Sequence, residues 1–240
     1  MKYFKRLIVL MLFISIVFVG RITLIGYINY SQVIHEIGLE DTIEKIQNSD
    51  DFISIEQVTD TFIKATVSVE DKRFYEHNGI DHISIARAMV VNIQAKSFKT
   101  GGSTITQQLA KNLFLTFDKT LERKATEFFL AKKIESLYSK DEILSLYINV
   151  INYGDDCIGI SDATEHYYNK TPLELKENEA VLLAGLPQSP SNYSLTENYT
   201  KAIIRSERVI NAMVNNDVIN KSKGLEILAL IKRENLWKHY

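Results

Sequence analysis

Three short segments of this chain carry side chains that could bind an anion and move a proton. Residues 101–112 read GGSTITQQLAKN, where two glycines precede a run of hydroxyl, amide and ammonium groups. A second segment holds the adjacent carboxylates of Glu70 and Asp71, which are candidate proton acceptors. In a third, Arg123 and Glu127 lie one helical turn apart.

The glycine-rich segment predicts a helix N-terminus that binds an anion such as a phosphate or diphosphate. We expect Ser103 to cap the helix and the helix to start at Thr104, so that first-turn amides and the helix dipole face the anion. Thr104, Gln108 and Lys111 then share one face, because they recur at spacings of four and three. Taken alone, the segment is explained equally well as a capped helix with a solvated face. It is not a P-loop, because no lysine directly follows its second glycine.

The elements that must position these residues are predicted to be helices. No alternation of apolar and polar residues is long enough to suggest a sheet. Ser54 and Gln57 form a capping box for a helix expected to reach about Arg73, which places Glu70 near its end. Further helices are expected at 139–149, briefly after Thr171, from 178 with a buried apolar run, at 197–215, and near the C-terminus.

The N-terminus predicts a membrane anchor. Lys2, Lys5 and Arg6 precede an apolar segment, Leu7 to Ile28, which is interrupted only by Arg21 and has the length of a bilayer-crossing helix. The positive-inside rule keeps the basic flank in the cytoplasm and puts the chain beyond about residue 30 on the other side. A cleaved signal peptide is the alternative, but no small-x-small cleavage site follows the apolar core. An uncleaved anchor is therefore favoured.

Composition argues against several classes of protein. The chain has 28 Lys and Arg against 30 Asp and Glu, whereas nucleic-acid binders usually show a basic excess. Cys157 is the only cysteine, which rules out an intramolecular disulfide, and Asp155 and Asp156 beside it would raise its pKa, so a packed thiol is expected. No Ser-x-x-Lys sequence occurs, so the nucleophile of a penicillin-binding transpeptidase is missing.

In order and spacing, five motifs resemble those of the family 51 glycosyltransferases, the peptidoglycan polymerases that also form the first domain of bifunctional penicillin-binding proteins. They are ATVSVEDKRFYEHNGID (65–81), GGSTITQQLAKN (101–112), RKATE (123–127), YINVINYG (147–154) and LAGLPQSPSNY (183–193). The resemblance covers roughly residues 50–215. It implies an all-α, lysozyme-like catalytic domain with a small membrane-associated subdomain, preceded here by one transmembrane helix. The expected division is 1–30 for the cytoplasmic tip and anchor, 31–52 for a linker, and 53–240 for the glycosyltransferase domain.

The resemblance also implies a reaction. The chain would polymerise lipid II into β-1,4-linked glycan strands and release undecaprenyl diphosphate, with inversion at the anomeric carbon. Glu70 would take the proton from the 4-hydroxyl of the acceptor N-acetylglucosamine, and Glu127 would be a second catalytic carboxylate that orients the donor diphosphate. The implied substrate-binding residues are Asp71, Phe74, His77, Ser103, Thr104, Gln108, Lys111 and Arg123, of which the first three support the base and its loop.

Several expectations accompany this assignment. A carboxylate beside a diphosphate is repulsive unless a cation lies between them, so Mg²⁺ or Mn²⁺ is a hypothesis with unidentified ligands, and no organic cofactor is expected. Expected partners are lipid II, the growing glycan chain, membrane lipids, transpeptidases and cell-division or elongation proteins, but not nucleic acid. Residues 94–103 are expected to form a mobile loop, and Asn169, which replaces a glycine of the family pattern, a left-handed turn.

Three alternatives stay open. A lysozyme-like lytic glycan hydrolase would also be helical, but its glutamate would act as an acid and it would not need an anion site at Lys111 and Arg123. A noncatalytic membrane-anchored cell-wall scaffold would tolerate the loss of Glu70. Lys124 is open between a substrate contact and a solvent-facing side chain.

Overall fold

The computed structural model describes residues 2–97, 101–116 and 118–237. The α-helices in these ranges are α1 (Lys2–Gln32), α2 (Leu39–Gln47), α3 (Asp60–Glu70), α4 (His82–Ala95), α5 (Ile105–Phe114), α6 (Leu121–Leu137), α7 (Lys140–Val150), α8 (Ile160–Tyr168), α9 (Glu177–Gly185), α10 (Tyr199–Asn215) and α11 (Lys221–Trp237). Within the same ranges there is no β-strand, only two isolated bridges. The prediction of an all-α fold is confirmed.

Helix α9 forms the centre of the core. From Ala180 to Gly185 it is apolar on all sides, and it is buried from Asn178 onward, as expected for a helix surrounded by other elements. Helices α3, α10 and α11 pack around it, and α5 packs between α6 and α7. The predicted burial of this segment is confirmed.

The helix expected from Ser54 to about Arg73 is in fact two elements. Ser54 and Gln57 form the predicted capping box, but it caps only a 3-10 turn. Thr59 is the N-cap of α3, which begins at Asp60. The helix ends at Glu70 because the chain leaves helical geometry at the next residue, with φ −156° and ψ 75°. The predicted bounds were wrong, whereas the position of Glu70 at a helix end is confirmed.

Two further local predictions are confirmed. Asn169 ends α8 in the left-handed conformation, with φ 51° and ψ 52°. Cys157 is buried, and its pKa is raised by that burial and by the neighbouring carboxylates of Asp162, Asp155 and Asp156.

Of the loop expected at 94–103, residues 98–100 lie outside the described residues.

Helix α1 is long and apolar enough to cross a membrane. Near its C-terminal end it lies against α6, where Gly26 is buried against Ala125. The rings of Tyr27 and Tyr30 pack on Phe129 of α6, with centroids 5.6 and 5.9 Å away. This apolar N-terminal helix fits the predicted membrane anchor.

Much of the segment expected as a linker is helical. After α1 the chain makes one π-helical turn, Val33–Ile37, and then forms α2. Leu39 and Ile43 of α2 are buried in the same core as the helices that follow. The segment 31–52 is thus packed on the domain, and the domain boundaries stay a prediction.

Candidate active site

Glu70, the last residue of α3, lies in a nearly buried polar network. One carboxylate oxygen, Oε1, accepts a hydrogen bond from Nη2 of Arg205 at 2.9 Å, and the other accepts one from Nε2 of Gln108 at 3.0 Å. The hydroxyl of Tyr147 donates to the amide oxygen of Gln108 at 3.3 Å. The amide nitrogen of Gln108 therefore faces Glu70, and the carboxylate is held as an acceptor with 11% of its side chain exposed.

Arg205 connects three helices at this point. Besides Glu70 on α3, its Nε donates to the carbonyl oxygen of Gly185 at the end of α9, at 3.0 Å. Burial lowers the pKa of Arg205, and the charge of Glu70 opposes that change. Neither Arg205 nor Tyr147 is among the site residues predicted from the sequence. A usable signal was present, because Arg205 lies on the apolar face of α10 between Ala202 and Val209, where a buried charge requires a partner.

Asp71 connects the loop after α3 to the start of α5. Its Oδ2 accepts a hydrogen bond from the backbone N–H of Ile105 at 3.0 Å and lies 2.9 Å from Nε2 of His77. The other ring nitrogen of His77 is buried and has no hydrogen-bond partner among the described residues. The first amide of α5 thus binds the protein's own carboxylate. The expectation that it would face an external anion was wrong.

Thr104, rather than Ser103, caps α5. Its hydroxyl oxygen accepts from the backbone N–H of Gln107 at 3.1 Å, while its hydroxyl donates to the carbonyl oxygen of Gly79 at 2.6 Å. The predicted start was wrong by one residue, because Thr104 and Gln107 form a capping box and the helix begins at Ile105. Thr104 is buried and occupied by these contacts.

A cluster of cations surrounds Glu127 on α6, and Glu127 itself is buried. Nη1 of Arg123 donates to Oε2 of Glu127 at 2.8 Å. The ammonium of Lys124 contacts Oε1 of Glu127 and donates to the hydroxyl oxygen of Ser103 at 2.8 Å. The structure therefore places Lys124 inside the site, between the glycine-rich segment and α6. We call Lys111, Arg123, Lys124 and Glu127 the cationic cluster.

Lys111 of α5 is the third cation of the cluster. Its pKa is lowered chiefly by burial; Arg123 and Lys124 lower it further, whereas Glu127 and Glu70 raise it. With three cations around one carboxylate, the cluster carries a net positive charge. This is the electrostatic environment that a diphosphate requires.

Phe74, assigned to substrate binding, lies fully in the interior. Its ring packs against those of Tyr75 and His77, and the ammonium of Lys140 lies 4.4 Å from its centroid. Full burial is at odds with a direct substrate contact. The packing on His77 fits the expected support of the loop that carries Asp71.

A cavity of about 190 Å³ connects the base to the glycine-rich segment. The end of α3, helix α4 and residues 101–104 enclose it, and both Glu70 and Ser103 line it. None of the four residues of the cationic cluster lines this cavity, but Lys124 donates to Ser103, which does. Ser103 therefore connects the cavity beside Glu70 to the cationic cluster.

The residues of the site do not form a metal site by themselves. Among the described residues, no group of three or more His, Cys, Asp or Glu side chains is placed to hold a metal ion. Both oxygens of Glu127 accept from cationic side chains. Side chains thus supply the cation that this carboxylate needs beside a diphosphate, and the Mg²⁺ or Mn²⁺ hypothesis stays a prediction.

Comparisons with known proteins agree with the geometry. The model of the Transglycosylase family matches residues 39–214. Penicillin-binding protein 2D of Bacillus subtilis is 41% identical over 177 residues, which cover 74% of this chain and 26% of that protein. Penicillin-binding protein 1A of Aquifex aeolicus is 40% identical over 190 residues (78% and 26%), and that of Escherichia coli 40% over 171 residues (71% and 20%). The chain spans only about a quarter or a fifth of the length of these relatives.

Proposed function

The chain belongs to the transglycosylase family, and on this premise we propose that it is a peptidoglycan glycosyltransferase that polymerises lipid II into β-1,4-linked glycan strands. The observation that carries the proposal is the position of α5. This helix directs Gln108 to Glu70 and brings Lys111 close enough to interact electrostatically with both Glu70 and Glu127. One rigid element thus relates a candidate base to a cluster of cations.

In the proposed reaction, Glu70 accepts the proton of the 4-hydroxyl of the acceptor N-acetylglucosamine. The hydroxyl oxygen attacks the anomeric carbon of the donor, and the bond from that carbon to the diphosphate breaks. The bonding electrons leave with undecaprenyl diphosphate, whose charge the cationic cluster stabilises. A single displacement inverts the anomeric carbon, so no covalent glycosyl-enzyme is needed.

The role proposed for Glu127 follows from its contacts. It binds Arg123 and Lys124 from the same helix and lies inside the cluster rather than at its surface. It therefore holds both cations in the orientation that a diphosphate would meet. A divalent cation, if used, would be bound mainly by substrate oxygens, because both oxygens of Glu127 already accept from cationic side chains.

The proposed location is the cell membrane. Helix α1 would cross the bilayer once with Lys2, Lys5 and Arg6 in the cytoplasm, which puts the catalytic domain outside. There it would meet lipid II, the growing glycan chain and membrane lipids. Transpeptidases, which cross-link the strands, and cell-division or elongation proteins are the proposed protein partners.

Polymerisation by the full chain tests the proposal. Detergent-solubilised protein is incubated with lipid II, and the products are separated by size. We expect long glycan strands from the parent and a rate about 10²–10⁴ lower from Glu70→Gln, because proton abstraction is lost. Asp60→Asn, at the exposed start of the same helix, should keep the parental rate.

The outcomes separate the alternatives. Polymer formed by a folded Glu70→Gln variant at the parental rate would overturn the proposed base. Shortening of pre-formed glycan by the parent would identify a lytic hydrolase. Absence of any product from folded parent protein would leave the noncatalytic scaffold.

A further inference from the structure

An apolar groove of about 420 Å³ lies between the anchor helix α1 and helix α6. Val19 and Ile22 line it from α1, and Leu121, Ala125 and Phe128 line it from α6. Leu121 and Phe128 stay exposed although they are large and apolar. Exposed apolar groups of this kind, grouped along one groove, mark a surface that binds an apolar partner.

At one end the groove is lined by Val19, which lies in the apolar part of α1. Val19 lies in the uncharged run that extends from Leu7 to Gly20, and the side chains of this run are exposed. A helix of this composition places them in lipid. The groove therefore opens toward the bilayer, and a chain embedded in the membrane can enter it without crossing water.

Lys124 of α6 links the groove to the cationic cluster. Its side chain is part of the groove lining, while its ammonium contacts Glu127 and donates to Ser103. A lysine can divide its apolar stem and charged head between two environments in this way. The same side chain thus belongs to the groove and to the cationic cluster.

We propose that the groove between α1 and α6 binds the first isoprene units of a polyprenyl diphosphate, next to the diphosphate held by the cationic cluster. This proposal rests on the proposed function, and it assigns a binding site to the lipid chain of the proposed substrate. The charge of the cluster identifies the ligand. A polyprenyl diphosphate has an apolar chain joined directly to an anionic group, so the chain would lie in the groove and the diphosphate in the cationic cluster, with Lys124 between them. The rest of a long chain continues into the bilayer.

The groove depends on one close contact between the helices. A Cβ added to Gly26 would lie 2.5 Å from Cβ of Ala125 and 3.0 Å from the backbone nitrogen of Thr126. Backbone atoms of α6 cannot shift without disturbing that helix, so a larger residue at position 26 must move α1 away from α6. Gly20 is on the same helix and has nothing within 4 Å of its added Cβ. The two glycines therefore offer a matched pair of variants.

The first experiment measures KM for lipid II and the inhibition constant of inorganic diphosphate, with the full chain in nanodiscs. We expect Gly26→Leu to raise KM about tenfold and to leave inhibition by inorganic diphosphate unchanged, since that anion uses only the cationic cluster. Gly20→Leu should change neither. An unchanged KM in Gly26→Leu, or an equal rise in both variants, would overturn the proposal.

The second experiment locates the chain directly and does not depend on turnover. A farnesyl diphosphate analogue with a photoreactive group on its first isoprene units is cross-linked to the parent protein, and the labelled peptides are sequenced. We expect labels within 19–23 and 121–129, reduced by unlabelled farnesyl diphosphate and not by phosphatidylglycerol. Labels in the groove between α10 and α11 would overturn the proposal. Equal competition by phosphatidylglycerol would also overturn it, and so would a cross-link to α1 of a second copy of the chain.

Failure of this proposal can be told apart from failure of the proposed function. If the parent makes glycan strands but the labels lie elsewhere, only the lipid site is wrong. If the parent makes no strands while the label appears in the groove, the polymerase assignment fails and the polyprenyl diphosphate site stands.

Discussion

Arg205 and Glu70 form an ion pair between α10 and α3, with Nη2 and Oε1 2.9 Å apart and both side chains largely buried. The same guanidinium donates to the carbonyl oxygen of Gly185, so the orientation of the candidate base depends on the junction of α9 and α10. Buried pairs of this kind add little net stability, but removing one partner leaves an uncompensated charge. Arg205 is therefore a positioning residue for Glu70.

Replacing Arg205 with methionine should impair the base. Without the hydrogen bond from the guanidinium, the Glu70 carboxylate loses its fixed orientation, so kcat should fall while KM for lipid II changes little. We expect a loss of about a hundredfold near neutral pH and about 3 kcal/mol less stability. Arg208→Met, exposed one turn away, is the control. A parental kcat in a folded Arg205→Met variant would contradict the positioning role.

Replacing Asp71 with asparagine should destabilise the domain. The carboxylate accepts from the amide of Ile105 and from His77 in a buried setting. An asparagine keeps only one of the two oxygens, so its NH₂ would face Nε2 of His77. We expect a loss of about 2–3 kcal/mol of unfolding free energy. Asp60→Asn removes an exposed pair with Lys64 and should cost less than about 0.5 kcal/mol. Equal unfolding midpoints for the two variants would exclude this anchoring role of Asp71.

The parts of this site that the sequence could predict are local. Spacing within one helix is enough to pair Arg123 with Glu127, and both are in contact. The position of Glu70 at a helix end also follows from a short apolar pattern. Motif order, carried by the resemblance to a family, then relates segments that local physics alone would leave separate.

The parts that the sequence could not predict depend on packing between distant segments. Glu70 and Arg205 are 135 positions apart, and Asp71 and Ile105 are 34 apart. Capping rules predict that the N–H groups at a helix N-terminus need a hydrogen-bond acceptor. They do not predict that Asp71, which directly follows α3, supplies it to α5. The same limit explains why α5 was expected to bind an external anion through its amides.

Lys111 should set the alkaline limit of activity. Burial lowers its pKa, so it loses its proton at a lower pH than an exposed lysine and the cluster then loses positive charge. Lys111→Arg keeps the charge, and the alkaline limb of kcat/KM should therefore move to higher pH, with a several-fold loss near pH 7 from altered geometry. Lys111→Met should lose about a hundredfold at every pH. An unchanged alkaline limb in Lys111→Arg would assign that limit to another group.

The variant Glu127→Gln tests whether Glu127 orients Arg123 and Lys124 or binds a metal ion. Loss of the carboxylate leaves Arg123 and Lys124 without their shared partner and makes the cluster more positive. Inorganic diphosphate should therefore inhibit several-fold more strongly, while kcat for lipid II falls about a hundredfold because the cations no longer hold their orientation. Glu122→Gln, at the first turn of the same helix, is the control.

Chelation then separates the two roles of Glu127. The oxygens of Glu127 are occupied by side-chain cations, so any divalent ion should depend mainly on the substrate diphosphate. Removing divalent ions with a chelator should consequently slow the parent and Glu127→Gln by the same factor, and Mg²⁺ should restore both at the same concentration. A variant that has become insensitive to the chelator, or that needs far more Mg²⁺ than the parent, would instead make Glu127 a metal ligand. That result would also mean that Arg123 and Lys124 release the carboxylate when substrate binds.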